Sequence, residues 1–355
     1  MKRQTGFTLV EMMISIVLAL LLTGAVVAVF VGSRTAYQAT SGVGDMADSG
    51  RFALNLIGES VRSAGNLACN SAMSATNQTL VALGFQTNFG QGMAGFEANG
   101  TAPLAAIALP AAPVVGAANN WTPNLDPAFL AATPGPFGRP VQGSDVLVVR
   151  SSVPRVAPVY TTADVVPGAT NLFVTPVPVG ISAAQYAAVS DCTKSVIFQV
   201  AAVAGGAPST ITLGGGGLPG VGFSAGALVA PLTTTVYYIG TGSDGDSSLW
   251  RIEQVNGPGF AAPEELVPDV ENMQVLYGID PAGTQTAAAY VTADQVGTLN
   301  VVSIRVALLV SSPPETRPTV AATPYNELGT AVTAPVDNRI RNVFNATINV
   351  RDAVN

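Results

Sequence analysis

From Phe7 to Val31 the chain is almost continuously apolar, and a single ionisable side chain, Glu11, interrupts the run near its start. An uncharged stretch of that length can cross a bilayer as a helix. A carboxylate inside it costs about 2.5–3.5 kcal/mol on insertion scales, which makes Glu11 a candidate functional residue. Past the span the spacing stays helical but only one stripe is apolar: Ala47, Gly50, Leu54, Ile57, Val61 and Ala64. Asp48 with Arg51, and Glu59 with Arg62, are placed to pair on the other side. No proline falls between residues 7 and 64, and Gly65 offers a left-handed stop. The pattern predicts one helix from Phe7 to about Ala64, roughly 85 Å long at its per-residue rise. Gly42 and Gly44 weaken it, so a bend or break is expected there.

The periodicity then changes from helical to alternating. Strands are predicted over 145–150, 171–174, 195–202 and 209–213, the last ending in the turn Gly214–Gly217. Residues 233–239 and 248–255, joined by the Gly- and Asp-rich 240–246, read as a hairpin, and 270–279, 299–310 and 342–351 complete the set. In 301–308 Val302, Ile304, Val306 and Leu308 alternate with Val301, Ser303, Arg305 and Ala307, so one face packs on the helix and the other meets solvent. The fold class is therefore α+β, a long N-terminal helix packed on an antiparallel β-sheet head with long loops. Residues 70–143, rich in Ala, Gly, Asn and Pro, read as an irregular insertion. The apolar part between Ala102 and Ala118 is no second span, because Pro103, Pro110 and Pro113 each remove a helical hydrogen bond.

Charge and composition narrow the function. Lys2 and Arg3 precede the span and set that side as cytoplasmic, so everything after Arg34 lies outside the membrane. Only 10% of residues are charged, 15 basic against 22 acidic, which excludes a phosphate-binding surface of clustered Lys and Arg. With no His, neither a Ser-His-Asp nor a Cys-His arrangement can form. In an extracytoplasmic head Cys69 and Cys192 are expected to join in a disulfide, two buried thiols being the alternative. No cofactor is expected, and no metal either: two Cys without His make a poor ligand set. Asp244 and Asp246 are the weak exception, a pair of oxygen donors for calcium at a hairpin tip, where an ordinary polar turn is the simpler reading. Gly215 to Gly220 matches G-x-G-x-x-G in form only, since Pro219 blocks the helix a nucleotide site requires. Glu264 and Glu265 read as surface charge, and Arg339 and Arg341 as partners of nearby acids.

The order of the first residues carries a resemblance. Met1-Lys2-Arg3-Gln4-Thr5-Gly6 is polar, the small Gly6 comes before the apolar run, and Phe7-Thr8-Leu9-Val10-Glu11 follows. This resembles the class III leader of type IV pilins and type II secretion pseudopilins. Further blocks are similar to PilW-type minor pilins: Asp48 to Leu54, Arg62 to Gly65 with Cys69, Gly143 to Leu147, Asp191-Cys192, Leu249-Trp250-Arg251, Glu265 to Asp280, and Arg339 to Phe344. The resemblance implies that a prepilin peptidase removes residues 1–6 by cutting between Gly6 and Phe7, and that the new Phe7 amine is methylated. Glu11, one helical turn away, would then answer the Phe7 amine of a neighbouring subunit and set the register of packed helices, since either charge left alone costs several kcal/mol. Residues 7–33 would form the transmembrane and filament-core helix, 34–65 an amphipathic spine, and 66–355 the extracytoplasmic head. The implied partners are the inner membrane, other minor pilins and the major pilin, with a tip adhesin as a further one and no nucleic acid. The implied role is that of a non-enzymatic subunit that starts pilus assembly at or near the tip, first in the inner membrane with a cytoplasmic N-terminus and a periplasmic head, then in the extracellular pilus. The alternatives are a J-type pseudopilin of type II secretion, and an adhesin or DNA-uptake receptor anchored by a pilin leader.

Overall fold

The computed structural model describes residues 8–72, 74–153, 156–254, 257, 259–314 and 321–351. One helix, Leu9–Arg62, opens the chain, and its 54 residues extend about 80 Å. Thr8 caps it, its hydroxyl accepting from the Glu11 N–H at 3.3 Å. At the other end the Ser63 N–H bonds back to Ser60, and Gly65 takes the left-handed conformation (φ +78°) that the sequence anticipated. The helix runs through Gly42 and Gly44 without the expected break. Two glycines weaken a helix by about 1 kcal/mol each, too little to interrupt hydrogen bonding that good helix formers sustain on both sides.

A four-stranded antiparallel sheet lies against the second half of this helix, in the order Ala289–Val291, Val270–Ile279, Val301–Ser311, Arg341–Asn349. Met46, Ala53, Ile57 and Val61 share one core with Val302, Ile304, Val306, Leu308, Val310 and Ile348. The buried helical stripe is centred on Met46, Gly50, Ala53, Ile57 and Val61, while Ala47 and Leu54 sit half-buried on its flanks. Among the described residues no ion pair joins Asp48 to Arg51 or Glu59 to Arg62. The helix comes close because Gly50 has no side chain: a Cβ there would sit 2.4 Å from the Phe344 ring. The opposite face of the sheet is not left to solvent. The strand Pro324–Glu327 packs against Val301–Ser311. Ser303, Ala307 and Leu309 are buried, Ser303 with its hydroxyl 3.0 Å from that of Tyr290, and Arg305 stays exposed over the Tyr290 ring at 3.8 Å.

Beside this sheet six strands close into a small antiparallel barrel. Around it run Val159–Thr161, Asn171–Thr175, Ser209–Gly214, Ser195–Ala204, Tyr186–Ser190 and the start of Leu228–Thr241, which pairs back to Val159–Thr161. Its interior is filled by Leu172, Val174, Phe198, Ile211, Val229 and their neighbours, so it is a packed core and not a channel. The long strand Leu228–Thr241 continues out of the barrel to pair with Val146–Ser152 and Ser247–Glu253, tying the barrel to the rest of the head.

The strands expected between 145 and 351 form, with ends shifted by a few residues. Residues 70–143 hold more regular structure than their composition suggested. Met93–Ala98 pairs with Val146–Ser152, and Ala106–Ala108 runs parallel to Thr330–Thr333. Trp121, Leu125 and Phe129 are buried against Val146, Val148 and Tyr238. The disulfide expected between Cys69 and Cys192 is present, with Cα atoms 4.8 Å apart. It fastens the segment just past the helix to the turn between two barrel strands. Closing 123 residues of chain is worth nominally about 5 kcal/mol on the chain-entropy estimate.

The two helical glycines make a paired prediction. Gly44→Ala meets open space and should stabilise the chain by up to about 1 kcal/mol through helix propensity. Gly50→Ala drives a methyl group into the Phe344 ring and should instead lose about 1–2 kcal/mol, overpacking outweighing propensity. Urea unfolding of the detergent-solubilised full chain measures both, and an equal gain from the two would refute the close-packing account.

Candidate assembly site

From Leu9 to about Val31 no helical residue touches the head, and the large apolar side chains there are more than half exposed. This is the one helix among the described residues long and apolar enough to cross a membrane. Hydroxyls along it bond back to the helix's own carbonyls, as hydrocarbon favours. Ser15 donates to the Glu11 carbonyl at 2.7 Å, Thr23 to Ala19 at 2.8 Å and Thr35 to Val31 at 3.0 Å. Glu11 lies in the first turn with its carboxylate exposed, its Oε2 3.5 Å from the Thr8 hydroxyl. Gly6 and Phe7, the residues of the expected processing junction, lie outside the described residues.

In the head, the block Gly143 to Leu147 joins the two sheets. The Asp145 carboxylate accepts from the Ala98 N–H at 2.9 Å with one oxygen and from the Val275 N–H at 2.8 Å with the other. The Ser144 hydroxyl accepts from the Met273 N–H at 3.0 Å, and the Asp145 N–H donates to the Met273 carbonyl at 2.8 Å. The Gly143 carbonyl in turn accepts from the Asn272 and Gln274 amides. Thus two blocks noted separately in the sequence, Gly143 to Leu147 and Glu265 to Asp280, bind each other.

Around this clamp three acids are buried together: Glu97, Asp145 and Glu327. Neither Glu327 oxygen, nor Glu97 Oε2, has a hydrogen-bond partner. Among the described residues no Lys or Arg forms an ion pair with any of the three. Burial, then the charge of Asp294, pushes the Glu97 carboxyl up from its ordinary value to about 7. Burial, then the charge of Glu97, pushes Asp145 up against its two N–H donors. Burial and the Asp145 charge do the same to Glu327. Sequence reading missed this group, since the members come from distant positions and none stands out locally.

The calcium candidate takes a different form. The structure adds Asp269 to Asp244 and Asp246, their carboxylate oxygens within 4.8 Å of one another. A cation is already there, however: Arg339 donates to Asp269 at 2.6 Å and also to Asp246. Its neighbour Arg341, only 2% exposed at the side chain, is held by Glu271 at 2.6 Å and by Asp337. The two arginines were expected to pair with nearby acids, and they do. Glu264 and Glu265 go to separate partners: Glu264 pairs with Arg251 at 2.6 Å, and Glu265 accepts from the Ser248 hydroxyl at 2.7 Å. No helix follows Gly215 to Gly220, which lies in a loop between strands.

An apolar helix projecting from a β-rich head that docks on its far half is the architecture of a type IV pilin-like protein. Residues 1–27 match the family model of the prokaryotic N-terminal methylation motif. Residues 236–352, which hold the four-stranded sheet and the strands leading into it, match the model of Type IV Pilus-assembly protein W. Together the two matches support a type IV pilus-related minor pilin of PilW type, with membrane anchoring through the N-terminal helix. Both families are structural components of pili. No curated protein matches the chain.

The buried acids set the sign of a pH effect. Each is harder to ionise in the folded head than in the unfolded chain, so folding retains protons that unfolding releases. Stability is then full below the ordinary Glu value near 4.5 and falls as pH rises towards about 7. For Glu97 alone the loss is about 3 kcal/mol across that window. Glu97→Gln should flatten the urea midpoint between pH 4.5 and 7.5; an equally steep profile in the variant would refute the assignment.

Proposed function

We propose that the chain is a minor pilin that joins other minor pilins in an inner-membrane complex from which pilus assembly starts, and that it stays at or near the filament tip. The carrying observation is the helix itself: its first half has an apolar surface with no partner among the described residues, broken by one carboxylate in the first turn. In the processed subunit the Phe7 amine lies about one turn from Glu11. Packing helices side by side lets the carboxylate of one answer the amine of the next, which favours fixed axial offsets over free sliding. The basic leader favours a cytoplasmic N-terminus and a periplasmic head. The match over 236–352 favours the pilus over a J-type pseudopilin.

A terminal place is supported by bulk. The head carries a closed barrel with its own core beside the pilin-like sheet, and a shaft would have to accommodate that mass at every level, whereas an end need not. The outward Tyr160 and Phe173 and the loop residues Val177 and Val179 leave apolar surface on the barrel, which favours contact with a further protein at the tip. Among the proposed partners, the prepilin peptidase acts first, on the Gly6–Phe7 bond.

Glu11→Val tests the role. The variant should be cut at the leader and stay in the membrane, yet enter sheared filaments at least tenfold less than the wild type. Mass spectrometry of the N-terminus and immunoblotting of filaments read the two steps. Unchanged incorporation would refute the register role, and an intact Met1 in purified filaments would refute processing.

A further inference from the structure

The C-terminal strand Arg341–Asn349 is an edge. It pairs with Val301–Ser311 on one side, all nine residues in step without a bulge, and, among the described residues, with no strand on the other. Two flanking bonds give the direction of its backbone groups: the Val350 N–H donates to Val302, and the Ile340 carbonyl accepts from Ser312. In an antiparallel ladder alternate residues bond the same neighbour, so the even positions from 342 to 348 face inward. The N–H and C=O groups of Val343, Asn345, Thr347 and Asn349 therefore point away from the sheet, and no group among the described residues bonds them.

Soluble β proteins protect such an edge with proline, lysine, inward charges, bulges or a covering loop. Here residues 342–349 contain no proline and no charge, the register has no irregularity, and the side chains of Asn345, Thr347 and Asn349 are exposed. On the helix-facing side Phe344, Ala346 and Ile348 hold the strand flat against the core, so the edge is also preorganised. A regular, uncharged and rigid edge is the form that accepts an extended segment by backbone pairing.

We propose that this edge binds an extended, uncharged segment from the head of a neighbouring pilin subunit of another kind, making the four-stranded sheet five-stranded. The identity of the occupant follows from polarity. Antiparallel pairing of two copies of this edge needs a two-fold axis normal to the sheet, which reverses any direction lying in the sheet plane. The helix packs along that plane, so the two membrane halves would point opposite ways, whereas helices anchored in one membrane run the same way. An antiparallel pair of two copies is thereby excluded, and a different subunit anchored alongside is not. The proposal rests on the pilin reading above.

Thr347→Pro and Asn345→Pro each remove an outward N–H while leaving the inward ladder whole, as proline on an edge can. Thr347→Val keeps the N–H. The full-length chain is co-expressed with each of the host's other pilin subunits in turn and recovered from detergent. One subunit should co-purify, the proline variants should lower its recovery at least tenfold, and Thr347→Val should leave it unchanged. Amide exchange at 343, 345 and 347 should slow in the complex relative to the chain alone, and urea midpoints of the proline variants within a small margin of the wild type confirm folding. Full recovery with both proline variants, amides as fast in the complex as in isolation, or a proline-sensitive homodimer would each overturn the edge while leaving the pilin reading intact. Failure of every pilin subunit to co-purify, with Glu11→Val without effect on filaments, would overturn both.

Discussion

A single helix has to satisfy two solvents, and the rest of the structure is arranged around that requirement. Its second half finds apolar partners inside the chain, from Met46 to Val61 against the four-stranded sheet. Its first half finds none: Leu20, Leu21, Leu22, Val26, Val29 and Phe30 are each about two-thirds exposed. Water alone does not tolerate such a surface, at about 25 cal/mol for every Å² left wet. The molecule is complete only in hydrocarbon or among other helices. A carboxylate set into that surface narrows the choice further, because a charge in hydrocarbon must be answered by another group and an apolar side chain need not be.

Rigidity in the head comes from polar groups as much as from packing. Asp145 and Ser144 hold the Met93–Ala98 and Val270–Ile279 strands to each other through backbone N–H groups. Arg339 ties the residues just before the last strand to the 244–246 turn and to Asp269, while Arg341 ties the strand itself to Glu271. Breaking such buried pairs from one side leaves an unanswered charge, so the links act as fixed joints between sheets. Where donors run out, at Glu97 and Glu327, the carboxyls are held towards their protonated form by burial.

The head divides into parts of different character. The strands from 236 onward, matched by the pilus-assembly family model, pack on the helix and carry the free edge. The barrel between Val159 and Leu232 lies before that match, closes on itself and encloses its own core. It is tied to the rest of the head by the continuous strand Leu228–Thr241, by the Cys69–Cys192 disulfide and by the pairing of Gln78–Thr79 with Ser195–Ala204. A module with its own core and few connections can differ in shape without disturbing the sheet on which the helix depends.

The sequence alone determined what depends on local periodicity and on single chemical tokens. The apolar run with Glu11 marked the membrane half, the helical stripe marked the docking half, and alternating Val and Ile marked strands such as Val270–Ile279 and Val301–Ser311. Gly65 marked the stop, and the only two cysteines marked the disulfide. One strand buried on both faces stayed hidden: Tyr186–Ser190 is small or apolar throughout and shows no alternation, since neither face meets water. Met93–Ala98 was masked by glycine and alanine that are there because Tyr277 and the neighbouring strand approach closely, as the 1.9 Å gap from a Cβ at Gly95 to the Tyr277 hydroxyl indicates. Barrel closure, the meeting of Glu97, Asp145 and Glu327, and the capture of Asp246 and Asp269 by Arg339 all join residues tens to hundreds of positions apart. Such contacts are chosen by how packed layers bring strands into register, and no short window of residues contains that information.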